Sequence, residues 1–280
     1  MPELPEVETM ARDLAPRLVG RRIARPFLAR PQLADHPDLV GVLAGARITG
    51  VRRRAKTVVI ELDRGVLLLA PRMTGAPRVD APGSEPRPHD HFGFDLVAGR
   101  RVEGAFRWRD PRMFGRIRYV LRRRDGALVD AAGRDPFAST GPEPLEVGPA
   151  GILEALARRP RAGAKAALLD QSLVAGIGNI YADEALWRAR IHPRELLGTV
   201  DGRRLRLLGR AIVELLEAGI ADRGARVATY APPDGGAAMQ LRLKAYGRGG
   251  LPCARCAMSL ERGVAAGRTT VWCPACQEGR

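Results

Sequence analysis

Apolar residues recurring every three to four positions near the start predict a first helix from Pro5 to about Val19. Val7, Met10, Ala11, Leu14 and Leu18 share one stripe, Pro5 suits the first turn, and Gly20 follows the end. Pro16 is expected to bend or shorten it. From Ile23 to about Val120 the pattern changes to short strands. Thr57-Val58-Val59-Ile60-Glu61-Leu62 and Val66-Leu67-Leu68-Leu69 flank a turn at Asp63-Arg64-Gly65. Phe94-Asp95-Leu96-Val97 and Arg116-Ile117-Arg118-Tyr119-Val120 follow. Regular short strands with Gly/Pro turns predict a β-sandwich.

A Pro/Gly-rich stretch from Asp135 to Pro149 reads as a linker. Helical periodicity then takes over. Ile152, Leu153, Leu156 and Ala157 form one helix, and Ala164 to about Leu173 a second. Ile180 to Ala189 and Arg203 to Ala218 give two more. Beyond Gly224 the pattern is lost, and the chain runs through Pro232-Pro233-Asp234-Gly235-Gly236 into a cysteine-bearing tail. The expected class is α+β and multidomain. A β-sandwich with flanking helices spans 1–134, the linker 135–149, a helical domain 150–236 and the tail 237–280.

Charge narrows the partner. A formal net charge of +15 over 280 residues points to a polyanion, with nucleic acid ahead of an anionic membrane. No apolar run approaches the roughly 18 residues of a membrane span, and the start lacks the basic-then-apolar layout of a signal peptide. A cytoplasmic, nucleoid-associated location is expected. Nearly all the cations are arginine, with lysine only at Lys56, Lys165 and Lys244. A GC-rich genome accounts for that bias. It also makes each lysine informative, because lysine can give up its proton and arginine cannot.

All four cysteines lie in the tail, as Cys253-x-x-Cys256 and Cys273-x-x-Cys276. Two such knuckles separated by 16 residues match a zinc ribbon, in which four thiolates complete a tetrahedron around one structural ion. With Zn²⁺ and four thiolates the net charge remains about +13. Arg262 and Gly267-Arg268-Thr269-Thr270 lie between the knuckles. A basic residue at a hairpin tip either meets phosphate or caps a solvated turn.

The start itself carries chemistry. Removal of Met1 ahead of the small Pro2 would leave a secondary amine with the Glu3 carboxylate beside it. An α-amino group titrates near pH ~8, so part of it is unprotonated and nucleophilic at neutral pH. Alone, this dipeptide reads as an ordinary proline.

Three segments together resemble one family, the formamidopyrimidine-DNA glycosylases. They are Met1-Pro2-Glu3-Leu4-Pro5-Glu6-Val7-Glu8-Thr9, then Leu168-Leu169-Asp170-Gln171 with Gly176-Ile177-Gly178-Asn179-Ile180-Tyr181-Ala182-Asp183-Glu184, and Ala245-Tyr246-Gly247-Arg248 leading into the cysteine hairpin. Asp110-Pro111-Arg112-Met113-Phe114-Gly115 and Gly141-Pro142-Glu143-Pro144-Leu145 fit as well. The match runs in order along nearly the whole chain.

The resemblance implies a bifunctional base-excision enzyme acting as a monomer on damaged double-stranded DNA, which lies between a sandwich domain and a helix–two-turns–helix domain with a zinc hairpin. Pro2 would be the nucleophile at C1′ and Glu3 the acid/base on the sugar oxygen. Lys56 would act near the lesion, and Arg268 would grip its phosphate and assist strand cleavage. Asn179, Tyr181, His89 and Arg112 match DNA-contact positions, with Arg161 and Lys165 as further candidates for the backbone grip. Met73, Arg112 and Phe114 resemble a trio that fills the stack vacated by a flipped base. From the residues alone, Lys56 reads as a core or solvated surface lysine and Phe114 as ordinary core.

Two departures bear on specificity. A family histidine is missing from Ala70-Pro71-Arg72-Met73-Thr74-Gly75, and the usual Gly-Gly-Thr-Thr-Leu loop is replaced by Gly224-Ala225-Arg226-Val227-Ala228. Oxidised purines (8-oxoguanine and formamidopyrimidines) are the expected substrates. The alternatives are an endonuclease VIII-like enzyme for oxidised pyrimidines and a non-catalytic zinc-dependent DNA-binding protein. A general RNA-binding zinc protein fits the charge but not the Met73, Arg112 and Phe114 set.

Overall fold

Helix α1 spans Leu4–Leu18, within a residue or two of the periodicity. Pro16 does not stop it. The missing N–H falls in the last turn, and Leu18 still buries its side chain completely. The structure is a computed structural model that describes residues 1–225 and 238–278. Among these residues the chain divides into two units. One contains Met1–Pro2 and Glu6–Ala138, and the other Glu3–Pro5, Ser139–Ala225 and the chain from residue 238 onward.

The first unit holds strands β1 (Arg22–Leu28), β2 (Ile48–Arg54), β3 (Thr57–Leu62), β4 (Gly65–Ala70), β5 (Ala76–Asp80), β6 (Asp90–Ala98), β7 (Arg101–Arg109), β8 (Arg116–Arg122) and β9 (Leu128–Val129), with a short helix α2 (Leu39–Leu43). They form a four-stranded sheet of order β1-β6-β7-β5 and a five-stranded sheet of order β2-β3-β4-β8-β9. Every pairing is antiparallel. Ile23, Phe92, Phe94, Leu96, Phe106 and Trp108 from one sheet share a core with Ile48, Val58, Ile60, Leu67, Leu69 and Ile117 from the other. Val7, Met10, Leu14 and Leu18 of α1 join that core. Side chains alternate across a strand, so Val59, Val66, Leu68 and Val120 face the opposite side and form a second apolar cluster with Phe137. Burial on both faces explains why β3 and β4 read as unbroken apolar runs.

The second unit contains α3 (Pro144–Ala157), α4 (Ala164–Leu169), α5 (Asn179–Ala189), α6 (Gly202–Ala221) and the hairpin β10 (Glu261–Ala265)–β11 (Arg268–Trp272). Leu4, Ile152, Leu168, Ile177, Tyr181, Leu186, Leu208 and Leu215 are among its buried core residues. The boundary differs from expectation. The expected linker 135–149 already contains the first turn of α3, which kinks at Gly148 (φ 64°) before Pro149. Helix α4 is four residues shorter than its pattern. Asp170 adopts an extended conformation, and its Oδ1 accepts the Ser172 N–H at 2.9 Å, an Asx turn that competes with a further helical turn. Among the described residues no helix is long and apolar enough to cross a membrane.

Candidate nucleic-acid interface and zinc centre

Glu3 is built into the entrance of α5. An α-helix leaves its first N–H groups without internal partners, and a carboxylate there is also favoured by the helix dipole. Glu3 Oε2 accepts the Gly178 N–H at 2.7 Å and Oε1 the Ile180 N–H at 2.8 Å, with the side chain almost wholly buried. The Leu4 N–H donates to Gly176 O at 3.0 Å. This approach explains the Gly176-Ile177-Gly178 spelling. A Cβ on Gly178 would overlap the Glu3 carboxyl, and one on Gly176, whose φ is +85°, would lie 2.7 Å from Leu4 Cβ. Pro2, next to Glu3, is buried, while Met1 is exposed.

Behind this entrance lies a polar joint. The Lys165 ammonium is fully buried and donates to Asp183 Oδ1 at 2.6 Å, Thr270 Oγ1 at 2.6 Å and Thr269 O at 3.2 Å. Asp183 Oδ2 accepts the Val271 N–H at 3.2 Å, and Asn179 Nδ2 donates to Thr269 O at 3.0 Å. Helix α5 is thereby fastened to β11, whose first residue, Arg268, is exposed. Burial outweighs attraction in the ion pair, lowering the Lys165 pKa and raising that of Asp183 to about 6. Glu184, also buried, accepts the backbone N–H groups of Lys244, Ala245 and Tyr246 at 2.8–3.0 Å. The Tyr246 phenol has a raised pKa, first from burial and then from the nearby Glu3 and Asp183 charges.

Two sequence candidates therefore sit differently from expectation. Lys165 has its ammonium enclosed by Asp183 and the hairpin, away from any phosphate in solvent. Tyr181 is a core residue packed beside Gly219. Arg161 is exposed ahead of α4, and Asn179 is partly exposed at the start of α5. Asp183, Glu184, Thr270 and Tyr246 were not singled out by the sequence. Their only signal was membership of the two quoted motifs.

In the first unit, Lys56 occupies the β2–β3 turn beside Ala55, which has φ +52°. Met73, Arg112 and Phe114 are all exposed on loops, and the Arg112 guanidinium stands 4.7 Å over the Phe114 ring. Exposure answers the alternative of Phe114 as core. His89, exposed at φ +74°, accepts the Asp110 N–H on its carbonyl at 3.0 Å, which brings it to the same loop.

The cysteines converge as the spacing requires. The Sγ atoms of Cys253, Cys256, Cys273 and Cys276 all lie within 4.8 Å of one another, with Cys256 and Cys273 3.4 Å apart. Four soft donors in a closed set suit one structural Zn²⁺ and leave no coordination position for substrate. Burial opposes ionisation of Cys253, but backbone N–H donors from Arg255 and Cys256 help overcome it and lower its pKa to about 6. Arg255 braces the knuckle, stacking 3.8 Å over the Trp187 ring and donating to Trp187 O at 2.6 Å.

Family models match three stretches in this order. The formamidopyrimidine-DNA glycosylase N-terminal domain covers residues 1–117, the formamidopyrimidine-DNA glycosylase H2TH domain 140–230, and the zinc finger found in FPG and IleRS 250–279. A formamidopyrimidine-DNA glycosylase of Xanthomonas campestris pv. campestris (strain B100) is 42% identical over 284 residues, covering 99% of this chain and 100% of the relative. Lactococcus lactis Fpg in complex with DNA containing an abasic site superposes with a TM-score of 0.86 at 33% identity, covering 99% of each chain. A mutant of the same Lactococcus lactis protein in complex with Fapy-dG-containing DNA gives 0.87 at 32% identity, covering 99% of this chain and 100% of that one. The N-terminal Pro2-Glu3 pair, the Gly176–Asn179 entrance and the four-cysteine hairpin are thus parts of one continuous match, and the chain belongs to the formamidopyrimidine-DNA glycosylase family.

Proposed function

We propose that this chain is a base-excision DNA glycosylase and AP lyase that removes oxidised purines from duplex DNA. The observation that carries the reading is the placement of Glu3. Its carboxylate is locked onto the N–H groups of Gly178 and Ile180, which fixes the chain immediately after Pro2. A nucleophile so held loses little freedom on meeting its target.

Once Met1 is removed, the lone pair of the Pro2 amine attacks C1′ of the flipped nucleotide. The glycosidic bond breaks and its electron pair leaves with the base. The departing base takes its proton from water. The attached nitrogen gives up its N–H proton to Glu3, which passes it to O4′ as the C1′–O4′ bond breaks and the nitrogen lone pair closes the C1′=N⁺ iminium. That electron sink acidifies C2′. Loss of a C2′ proton expels the phosphate on the 3′ side, and a second elimination expels the one on the 5′ side. Lys56 and Arg268 would bind the flanking phosphates, with Asn179, Arg161 and His89 as further backbone contacts. Met73, Arg112 and Phe114 would fill the vacated stack. The zinc ion would hold the Arg268 hairpin in shape and take no part in the chemistry. The enzyme would work as a monomer in the cytoplasm, on the nucleoid.

Duplexes carrying 8-oxoguanine, a formamidopyrimidine or an oxidised pyrimidine, incubated separately with the protein, test the reading. Preferential incision of the two purine lesions is expected. Preference for the pyrimidine lesion would place the activity with endonuclease VIII-like enzymes, and no incision of any duplex would leave only DNA binding.

A further inference from the structure

The loops bearing Met73 and Phe114 are far apart in sequence but are tied by one buried contact. Thr74 Oγ1 donates to Asp110 Oδ1 and accepts the Arg112 N–H at 3.3 Å. Asp110 Oδ2 accepts the Gly115 N–H at 2.7 Å, and its own carbonyl accepts the Met113 N–H at 3.1 Å. Asp110 is fully enclosed and Thr74 nearly so.

Both loops also rest on Trp108. A Cβ on Gly75 would lie 2.5 Å from Trp108 Cζ2, and one on Gly115 3.1 Å from the same atom. The side chains flanking this joint point outward. Met73 is 36% exposed, Met113 40% and Phe114 45%, an unusual concentration of large apolar groups on two loop tips. Arg72 and Met113 adopt left-handed backbone conformations, with φ +53° at each, so each tip is held in a shape that needs support from its surroundings.

We propose that Thr74 and Asp110 are positioning residues that lock the two loops into one rigid wedge. A wedge must enter a base stack without losing its own order. Two independently moving tips would lose conformational entropy on insertion, whereas a pre-joined pair has already lost it in folding. The clasp should therefore matter where there is a stack to enter and not where there is none. This inference rests on the DNA glycosylase reading above.

The test compares wild type, Thr74→Val and Thr74→Ser, each below its melting temperature, on two substrates. One is an 8-oxoguanine duplex scored by incision. The other is a single-stranded oligonucleotide with an abasic site, scored by borohydride trapping. Thr74→Val keeps the shape and removes the hydroxyl. It should slow duplex incision at least about tenfold, because it removes both the charge-assisted hydrogen bond to Asp110 and the one accepted from the Arg112 N–H. Trapping on the single strand should stay within about twofold of wild type, and Thr74→Ser should restore the duplex rate. Equal loss on both substrates, or an unchanged duplex rate, overturns the inference while leaving the enzyme reading intact. A wild-type protein that reacts with neither substrate overturns both.

Discussion

The Lys165 ammonium lies 2.6 Å from Asp183 Oδ1 and 2.6 Å from Thr270 Oγ1, joining α5 to the strand that begins with Arg268. The pair is worth more as a joint than as a source of net stability, because both ions have been taken out of water. Removing one partner strands the other. Lys165→Met should cost about 3 kcal/mol in urea unfolding of the zinc-loaded protein, and Lys165→Met with Asp183→Leu should recover most of it. Additive losses in the double variant would show that the two residues act separately.

The same pair gives a signed pH dependence. The Asp183 pKa is raised to about 6, against about 3.9 in an unfolded chain. Between those values the folded protein holds a proton that the unfolded chain has released. The Asp183 contribution to stability is therefore smallest above pH 6 and grows as pH falls toward 4. Asp183→Asn has no such titration. The melting temperature of wild type minus that of the variant should rise as pH falls through this window and level off above it. A difference independent of pH would contradict the assignment.

Arg268 is proposed to neutralise one phosphate. Replacing it with alanine should weaken duplex binding and reduce the magnitude of the slope of log K against log salt by about one. An unchanged slope would remove Arg268 from the interface.

Zinc removal should act on the hairpin first. Among the described residues, the buried apolar side chains packed about the thiols are Trp187, Ala245, Leu260 and Val271, a small core once the ion is lost. Chelation should abolish the hairpin's amide-exchange protection and weaken DNA binding, while leaving the sandwich core protected. DNA affinity that survives chelation would show that the hairpin is not part of the grip.

The elements legible in the sequence are those whose signal is local. Continuous apolar runs marked β3 and β4, a 3.6-residue stripe marked α1, and the paired Cys-x-x-Cys knuckles marked the metal set. What sequence reading missed depends on distant partners. Lys165 looks like any surface cation until Asp183 and Thr270 are brought to it, and Tyr181 sits in a polar-looking segment yet packs into the core. The Thr74–Asp110 contact spans 36 positions, and neither residue is remarkable for its type. The replaced loop after Gly224 lies, from Arg226 onward, outside the described residues, so its bearing on lesion choice is addressed by the substrate comparison.

The central claim is that the amine of Pro2 forms the covalent bond to DNA. Borohydride reduction in the presence of duplex containing 8-oxoguanine, followed by proteolysis and peptide mapping, tests it directly. The DNA adduct should map to the N-terminal peptide at Pro2 in protein lacking Met1. It should be absent from Pro2→Gly and from protein in which Met1 is retained. An adduct of equal yield in the Met1-bearing protein, or one mapped to Lys56, would contradict the account.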